Sequence, residues 1–202
     1  IIGKQGDSSL RVVASAEVES SGIEGGAISD KIALSRALSK CVRIAESQIG
    51  YPISEATVIV PAMLTQHTNG QGVRRIGGRT RGIRANDLSK ALSNIVYEES
   101  TQMSTESLDL EKTLYELDGK YFIDPPIGVP GREMSVFVSR ISISTDLKME
   151  LTQIFDSLGI GKIKLVPNQR AGTLGGLTEG ERKLGAILFD IGSRVSTLTL
   201  VK

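Results

Sequence analysis

The sequence predicts an α/β fold in which one larger lobe is interrupted by a smaller α+β insert. Strand-like and helix-like apolar segments alternate in residues 1–62 and again in residues 142–202. Between these two parts, residues 63–84 are polar and rich in glycine and arginine, which marks a change of domain. We therefore assign residues 1–62 and 142–202 to the main lobe and residues 63–141 to the insert.

The first part of the main lobe predicts two strands, a helix and a strand. Alternating apolar residues on both sides of a turn at residues 6–8 predict a hairpin. Leu34, Leu38 and Cys41 begin an apolar series at helical spacing, which we expect to start at Ser29 or Asp30 and to end at Gly50. The short apolar run at residues 56–60 is typical of a strand buried on both faces.

The insert predicts a strand, a helix and two further strands. Residues 63–84 are expected to form a long edge hairpin or a loop, and a helix then runs from Asn86 or Asp87 through Val96. The Asp118–Gly119 pair predicts a tight hairpin turn. Residues 132–144 form one long strand, whose apolar alternation changes phase and so predicts a bulge or bend near Arg140.

The last third returns to the pattern of the main lobe. Thr145 is expected to begin a helix that Gly159 ends, and residues 162–166 to form a strand. Residues 167–177 are a weak helix or a loop. A final hairpin carries Asp190 at the end of an apolar strand, and its bend either holds a phosphate or is a plain turn that Asp190 caps.

Composition limits the classes of function. The chain has 24 Lys and Arg against 23 Asp and Glu, so its net charge of +1 gives no general attraction to nucleic acid or to an anionic membrane. One cysteine and one histidine exclude a disulfide framework and the usual zinc-ligand spacings within this sequence. We interpret Cys41 as a core thiol and His67 as an exposed loop residue.

An arginine run in the insert is a candidate partner-binding segment. Its members are Arg74, Arg75, Arg79, Arg81 and Arg84. No aromatic residue is interleaved to stack on bases, so nucleic acid is not the expected partner. The simpler interpretation of the run is a solvated loop; if it binds a partner, its position in the insert favours a protein.

Three stretches of the sequence resemble the FtsA family of bacterial cell-division proteins, which belongs to the superfamily of actin, Hsp70 and the sugar kinases. They are, in chain order, "SSGIEGGAISD", "DPPIGVPGREMSVFVSRIS" and "LTEGERKLGAILFDIGSRVSTLTLV". The resemblance covers the whole chain and implies about half of a family member. It implies an actin/ribonuclease H-like subdomain 1A for the main lobe and the family's inserted 1C subdomain, which is SHS2-like, for the insert.

The resemblance implies an adaptor that binds ATP and acts at the septum. Such an adaptor tethers FtsZ filaments to the cytoplasmic face of the cell membrane, recruits other division proteins and self-associates into filaments. It implies a first phosphate loop before Ile1. The adenosine-binding half, the FtsZ-binding subdomain and an amphipathic membrane tail are expected after Lys202, so membrane contact is expected only through that tail.

The final hairpin resembles the family's second phosphate hairpin. The family pattern Asp-Ile-Gly-Gly-Gly-Thr-Thr-Asp reads here as "DIGSRVST", so two glycines are replaced. The resemblance implies that Asp190 orients Mg²⁺ through water and that the bend receives the phosphates of ATP. The residues implied at this site are Asp190, Gly192, Ser193, Arg194 and Ser196. Because of the lost glycines we expect weak ATP binding or none, at most weak ATPase activity, and no catalytic residue in this chain.

Two other functions remain open at this point. A pilus-assembly adaptor similar to PilM shares the expected fold and differs in its partner. An actin-fold kinase of a small molecule needs a general-base aspartate beside a substrate pocket, and the sequence offers no persuasive candidate. The "DPPIGVPGRE" stretch favours the division adaptor.

Overall fold

The computed structural model of the chain describes residues 1–5, 10–24, 27–77, 80–98, 104–192 and 195–201. It has a mixed α/β fold with several separate sheets. The chain divides into two compact units: unit 1 comprises Ile1–Leu64 and Asp146–Lys202, and unit 2 comprises Thr65–Thr145. The identification of these units with an actin-like subdomain and an SHS2-like insert stays a prediction.

Unit 1 contains four two-stranded sheets among its described residues. The strands are β1 (Ile2–Gln5), β2 (Leu10–Ala14), β3 (Ile23–Glu24), β4 (Ala27–Ile28), β5 (Glu55–Val60), β13 (Lys162–Pro167), β14 (Ala186–Ile191) and β15 (Ser196–Val201). The helices are α1 (Lys31–Ile49), α3 (Thr145–Ser157, of which Thr145 belongs to unit 2), α4 (Asn168–Gly176) and α5 (Glu179–Leu184), and Ala62–Leu64 form a 3₁₀ turn. Within the described ranges, no helix combines the length and apolarity that a bilayer span requires.

The ends of α1 confirm the prediction made from its capping residues. The Asp30 carboxylate accepts hydrogen bonds from the N–H groups of Ile32 (2.8 Å) and Ala33 (3.0 Å). At the other end Gly50 adopts the left-handed conformation with φ 81°, and its N–H donates to the carbonyl of Glu46 at 2.8 Å. Both ends therefore satisfy backbone groups that the helix leaves unpaired.

Strand β5 pairs in parallel with β13 from Glu55 opposite Lys162 to Val60 opposite Pro167. The prediction that this strand is buried on both faces is wrong for the described structure. Its residues alternate between exposed and covered positions, and the Ile59 side chain is 57% exposed. The strand is thus packed on one face only, because successive side chains of a strand point to opposite faces and here every second one is exposed.

Unit 2 is built on a five-stranded sheet with the order β10-β9-β12-β6-β8. Its strands are β6 (Gln66–Arg75), β7 (Arg81–Gly82), β8 (Ile95–Tyr97), β9 (Thr105–Leu117), β10 (Lys120–Phe122), β11 (Pro130–Gly131) and β12 (Glu133–Ser144), and its helix is α2 (Ala85–Ser93). The buried core lies between the sheet and α2 and comprises Ile76, Ile83, Ala91, Tyr115, Leu117, Met134, Val136 and Val138.

Strand β6 corrects the prediction of an edge hairpin or loop in this segment. It pairs with β12 over ten positions, from Arg75 opposite Glu133 to Gln66 opposite Ser142, and β8 pairs on its other side. The helix prediction was also too long, because α2 ends at Ser93 and the residues that follow form β8. Polar and glycine residues therefore occupy an interior strand here.

The Asp118–Gly119 turn confirms the predicted hairpin between β9 and β10. Both residues have positive φ, 48° and 82°, as a tight two-residue turn requires. The Asp118 carboxylate also accepts hydrogen bonds from the N–H groups of Arg132 (3.0 Å to Oδ2) and Glu133 (2.9 Å to Oδ1). These bonds join the turn to the start of β12.

The irregularity predicted near Arg140 is present, but it lies on the partner strand. Between β12 and β9 the register shifts after Phe137 and again after Ile141. The unpaired extra residues are Thr113 and Leu108 of β9, whereas β12 pairs with β6 without interruption. The long strand β9 therefore bends around β12.

Candidate functional site

The hairpin of β14 and β15 places Asp190 one residue before the end of β14, close to Gly192. Asp190 pairs with Thr197 and Ile191 with Ser196, and the Gly192 N–H donates to the Val195 carbonyl at 3.1 Å. A methyl group at Gly192 would lie 2.7 Å from that carbonyl oxygen, so a side chain does not fit there. The backbone at Gly192 thus lies beside the exposed Asp190 carboxylate without a side chain of its own, which is compatible with a phosphate hairpin. The predicted Ser193 and Arg194 lie outside the described residues.

Sequence reasoning missed Asn168, which the structure brings to Asp190. Strand β13 ends at Pro167 and α4 begins directly with Asn168, whose Nδ2 donates to Asp190 Oδ2 at 3.4 Å. Its Oδ1 and the neighbouring Gln169 Oε1 are buried acceptors without a hydrogen-bond partner among the described residues. Buried acceptors normally have a donor, so these two oxygens favour a water or ligand donor at this place.

Helix α4 approaches the hairpin closely because its residues there are small. The Leu188 side chain of β14 lies 3.1 Å from the position that a methyl group on Gly172 would take, and 3.6 Å from that on Gly176. The strand-to-helix junction at Asn168 is therefore held against the strand that carries Asp190. No local pattern in the sequence signals this contact, because the two residues are 22 positions apart.

The described residues contain no group of three or more His, Cys, Asp or Glu side chains that could hold a metal ion directly. Asp190 supplies one carboxylate, and Asn168 and Gln169 supply amide oxygens nearby. Such oxygen atoms suit Mg²⁺ that keeps most of its water, which is the form the resemblance implies.

The arginines of unit 2 are organised around a buried carboxylate, Asp87, which is 3% exposed. Arg81 donates to both oxygens of Asp87, with Nη1–Oδ2 and Nη2–Oδ1 distances of 2.8 Å each. The Arg84 N–H donates to Oδ2 at 3.0 Å, and Arg74 Nε lies 3.6 Å from Oδ1. The hydrogen bonds from Arg81 hold the pKa of the Asp87 carboxyl far below its usual range.

The remaining arginines differ in environment. Arg75 is 84% exposed and contacts Glu133 at 2.7 Å, and the Arg84 side chain is exposed. Arg79 lies outside the described residues. Arg74 and Arg81 thus contribute to the structure of unit 2, and the partner-binding prediction for the run stays a prediction. Sequence reasoning treated the five arginines alike because the buried acceptor, Asp87, read only as a helix start.

The two isolated residues weighed from the sequence have ordinary surroundings. His67 is exposed but lies on β6 rather than in a loop, and its Nε2 is 2.6 Å from Ser139 Oγ. The Cys41 Sγ is half-buried, 3.6 Å from the carbonyl of Ala16. Neither contact indicates a catalytic or metal site.

Comparison with known proteins confirms the resemblance to FtsA. The chain is 22% identical over 201 residues to the cell division protein FtsA of Enterococcus faecalis (strain ATCC 700802 / V583), covering 100% of this chain and 46% of that protein. It is 23% identical over 202 residues to FtsA of Bacillus subtilis (strain 168), covering 99% and 45%. It is 24% identical over 194 residues to FtsA of Borreliella burgdorferi, covering 95% and 46%. No family model matches the chain. The chain thus spans about half the length of the curated relatives it matches.

Proposed function

We propose that this chain is part of an FtsA-type adaptor of bacterial cell division. The observation that carries the proposal is similarity along 95–100% of the chain to proteins that are all called cell division protein FtsA. In this proposal the whole protein tethers FtsZ filaments to the cytoplasmic face of the membrane and recruits further division proteins. Its contribution is assembly rather than turnover.

The structure supports a division of labour between the two units. Unit 2 has its own buried core and a surface built on a continuous sheet, which suits a module that binds a protein partner. Unit 1 carries the hairpin and the Asn168–Asp190 contact, which suit a nucleotide site. We place partner binding on unit 2 and the ligand on unit 1.

The adaptor function is tested by expressing this chain, fused to a fluorescent protein, in Bacillus subtilis. We expect cells markedly longer than those expressing the fluorescent protein alone, because the chain competes with the resident FtsA for its division partners. A fusion that lacks residues 65–145 is the matched control, and circular dichroism of the purified fusion checks that it is folded. The proposal would be contradicted by cells of normal length in which fluorescence of the complete fusion is distributed evenly through the cell at the same expression level.

The ligand of unit 1 is proposed to be ATP with Mg²⁺, which supplies charge neutralisation at the phosphates. Asp190 would hold the ion through water, the backbone at Gly192 and the hydroxyl of Ser196 would face the phosphates, and Asn168 would orient Asp190. Because two family glycines are replaced, we expect titration of labelled ATP to give a dissociation constant of about 1 mM or weaker.

The affinity is expected to recover when the glycines are restored. The double variant Ser193→Gly/Arg194→Gly should bind Mg²⁺-ATP at least about tenfold more tightly, and Asp190→Ala in that background should remove the gain. Asp156→Ala, an exposed carboxylate on α3, is the matched control and should leave the gain unchanged. Micromolar binding by the unaltered chain, or a gain that survives Asp190→Ala, would contradict this assignment.

A further inference from the structure

We propose that unit 2 binds a carboxylate-rich segment of a partner protein through an arginine surface, defined as Arg75, Arg81, Arg84 and Arg132. The inference deepens the proposed adaptor function, and it rests on that function only for the partner being a division protein. Arg132 joins the surface because Gly131 pairs with Arg81 and because Arg132 Nε lies 3.3 Å from Thr80 Oγ1.

Charge in unit 2 is separated along the sequence. Residues 65–93 contain six Lys and Arg and one Asp, whereas residues 94–145 contain nine Asp and Glu and four Lys and Arg. The unit as a whole is neutral, with ten basic and ten acidic residues between 65 and 145. A neutral unit with separated charges presents a positive surface only to a partner that contacts one side of it.

The strand registers place part of the acidic group far from the arginine surface, although Glu133 and Asp118 lie beside it. Arg75 pairs with Glu133 at the start of β12, whereas Glu111 pairs with Ser139 and Glu106 with Ile143. Six to ten residues of strand correspond to about 20–33 Å. This exceeds the screening length of about 8 Å at physiological salt, so Glu106 and Glu111 do not reduce the positive field at the arginine surface, whereas Glu133 and Asp118 reduce it in part.

Two of the four guanidinium groups of the surface, those of Arg81 and Arg132, are held by hydrogen bonds within the chain. Arg81 is fixed by its two hydrogen bonds to Asp87 and still has a side chain that is 34% exposed. Arg132 is held by its contact with Thr80. Side chains that are already ordered lose less conformational entropy on binding, so a partner gains more from each contact.

Carboxylates are the ligands that this surface already binds within its own chain. Arg81 contacts both oxygens of Asp87, and Arg75 contacts Glu133 at 2.7 Å on the exposed surface. An exposed ion pair contributes only about 0–1 kcal/mol, so a partner carboxylate can replace Glu133 at small cost. The planar guanidinium matches the geometry of a carboxylate with two parallel hydrogen bonds.

Two other polyanions fit less well. Nucleic acid is disfavoured because residues 65–93 contain no Phe, Tyr or Trp on which bases could stack. An anionic membrane is disfavoured because its extended negative surface would also repel the acidic residues of the same unit, such as Glu106 and Glu111. A peptide segment is narrow enough to contact the arginine surface without approaching Glu106 and Glu111.

The test is titration of a fluorescent dodecaglutamate peptide into the complete chain, followed by anisotropy at two salt concentrations. We expect salt-dependent binding that Arg84→Ala/Arg132→Ala weakens at least about tenfold. The matched control is Lys112→Ala/Arg140→Ala, which removes the same charge from positions six to eight residues along the sheet from Arg132 and should leave the affinity within about twofold. Circular dichroism checks that both double variants are folded.

Several outcomes would overturn the inference. They are no binding of the peptide, equal weakening by the two double variants, and tighter arginine-dependent binding of phosphatidylglycerol vesicles or of an oligothymidylate of the same length. Dimerisation of the chain that depends on Arg84 and Arg132 would assign the surface to a second copy instead. Peptide binding without elongated cells would contradict the adaptor function alone, and elongated cells without peptide binding would contradict this inference alone.

Discussion

Replacing Asp87 with alanine is expected to destabilise unit 2 by about 3 kcal/mol. The carboxylate is buried and accepts two hydrogen bonds from Arg81 and one from the Arg84 N–H at the start of α2. Alanine would leave the guanidinium of Arg81 half-desolvated without its partner and would free a backbone donor at the helix start. Urea unfolding followed by tyrosine fluorescence measures the loss, because Tyr97, Tyr115 and Tyr121, three of the four tyrosines, lie in unit 2.

The matched control for this variant is Glu133→Ala. Glu133 also pairs with an arginine, but its side chain is 48% exposed and that of Arg75 is 84% exposed, so its loss should cost no more than about 1 kcal/mol. Hydrogen exchange localises the effect, which should be confined to peptides of residues 65–145. Equal losses for the two variants, or equal deprotection of unit 1, would contradict the structural role given to Asp87.

Acid should remove the contribution of Asp87 to the free energy of unfolding, as the alanine substitution does. The pKa of this carboxyl is lowered in the folded protein, so its stabilisation is fully present above the unfolded pKa of about 3.9. It is lost as the pH falls below that value and approaches the folded pKa. Unfolding of Asp87→Asn should therefore depend less on pH below about 4 than unfolding of the unaltered chain.

Elements whose ends are set by neighbouring residues were predictable from the sequence. Asp30 and Gly50 bound α1 through contacts within a few positions, and Asp118 with Gly119 forms a turn whose positive φ angles belong to these two residues. In each case the backbone groups that must be satisfied belong to adjacent residues. The physical signal is therefore contained in the sequence itself.

Elements set by distant contacts were not predictable in this way. Ile95 continues the apolar spacing of α2, but pairing with Gly72 of β6 makes it part of a strand. In β6 itself, Gly70 and Gly72 suggested a loop, whereas both glycines are required by elements that pack against them. Packing overrode local preference at these positions.

The residues of the candidate sites also fall into those with a local sequence signature and those that depend on distant contacts. Asp190 and Gly192 were proposed from the sequence because a strand followed by glycine has a local signature, and their role at a ligand site stays a prediction. The contribution of Asn168 depends on α4 lying against β14, and that of Arg132 on the pairing of β7 with β11. Neither arrangement has a signature in the residues around it.

Replacing Gly72 with alanine is expected to cost about 3 kcal/mol, at the upper end of what a single added methyl group does in a packed core. The new Cβ would lie 2.1 Å from the carbonyl oxygen and 2.9 Å from the carbonyl carbon of Ala91, both backbone atoms of α2. Because backbone atoms cannot rotate away as a side chain can, α2 must move from the sheet by about 1 Å. The side chain of Ala91, which is now 0% exposed, would then lose packing contacts.

Two other glycines in and after β6 provide a graded comparison for Gly72→Ala. A methyl group at Gly70 would meet side-chain atoms of Ile95 and Tyr97 at 2.8 Å, which can shift, so Gly70→Ala should cost less. A methyl group at Gly77 would have nothing within 4 Å, so Gly77→Ala should stay within about 0.5 kcal/mol of the unaltered chain. The urea midpoints should follow this order. If Gly72→Ala unfolded at the midpoint of Gly77→Ala, α2 could not lie as close to β6 as the structure places it, and the position of Asp87 beside β6 would be wrong with it.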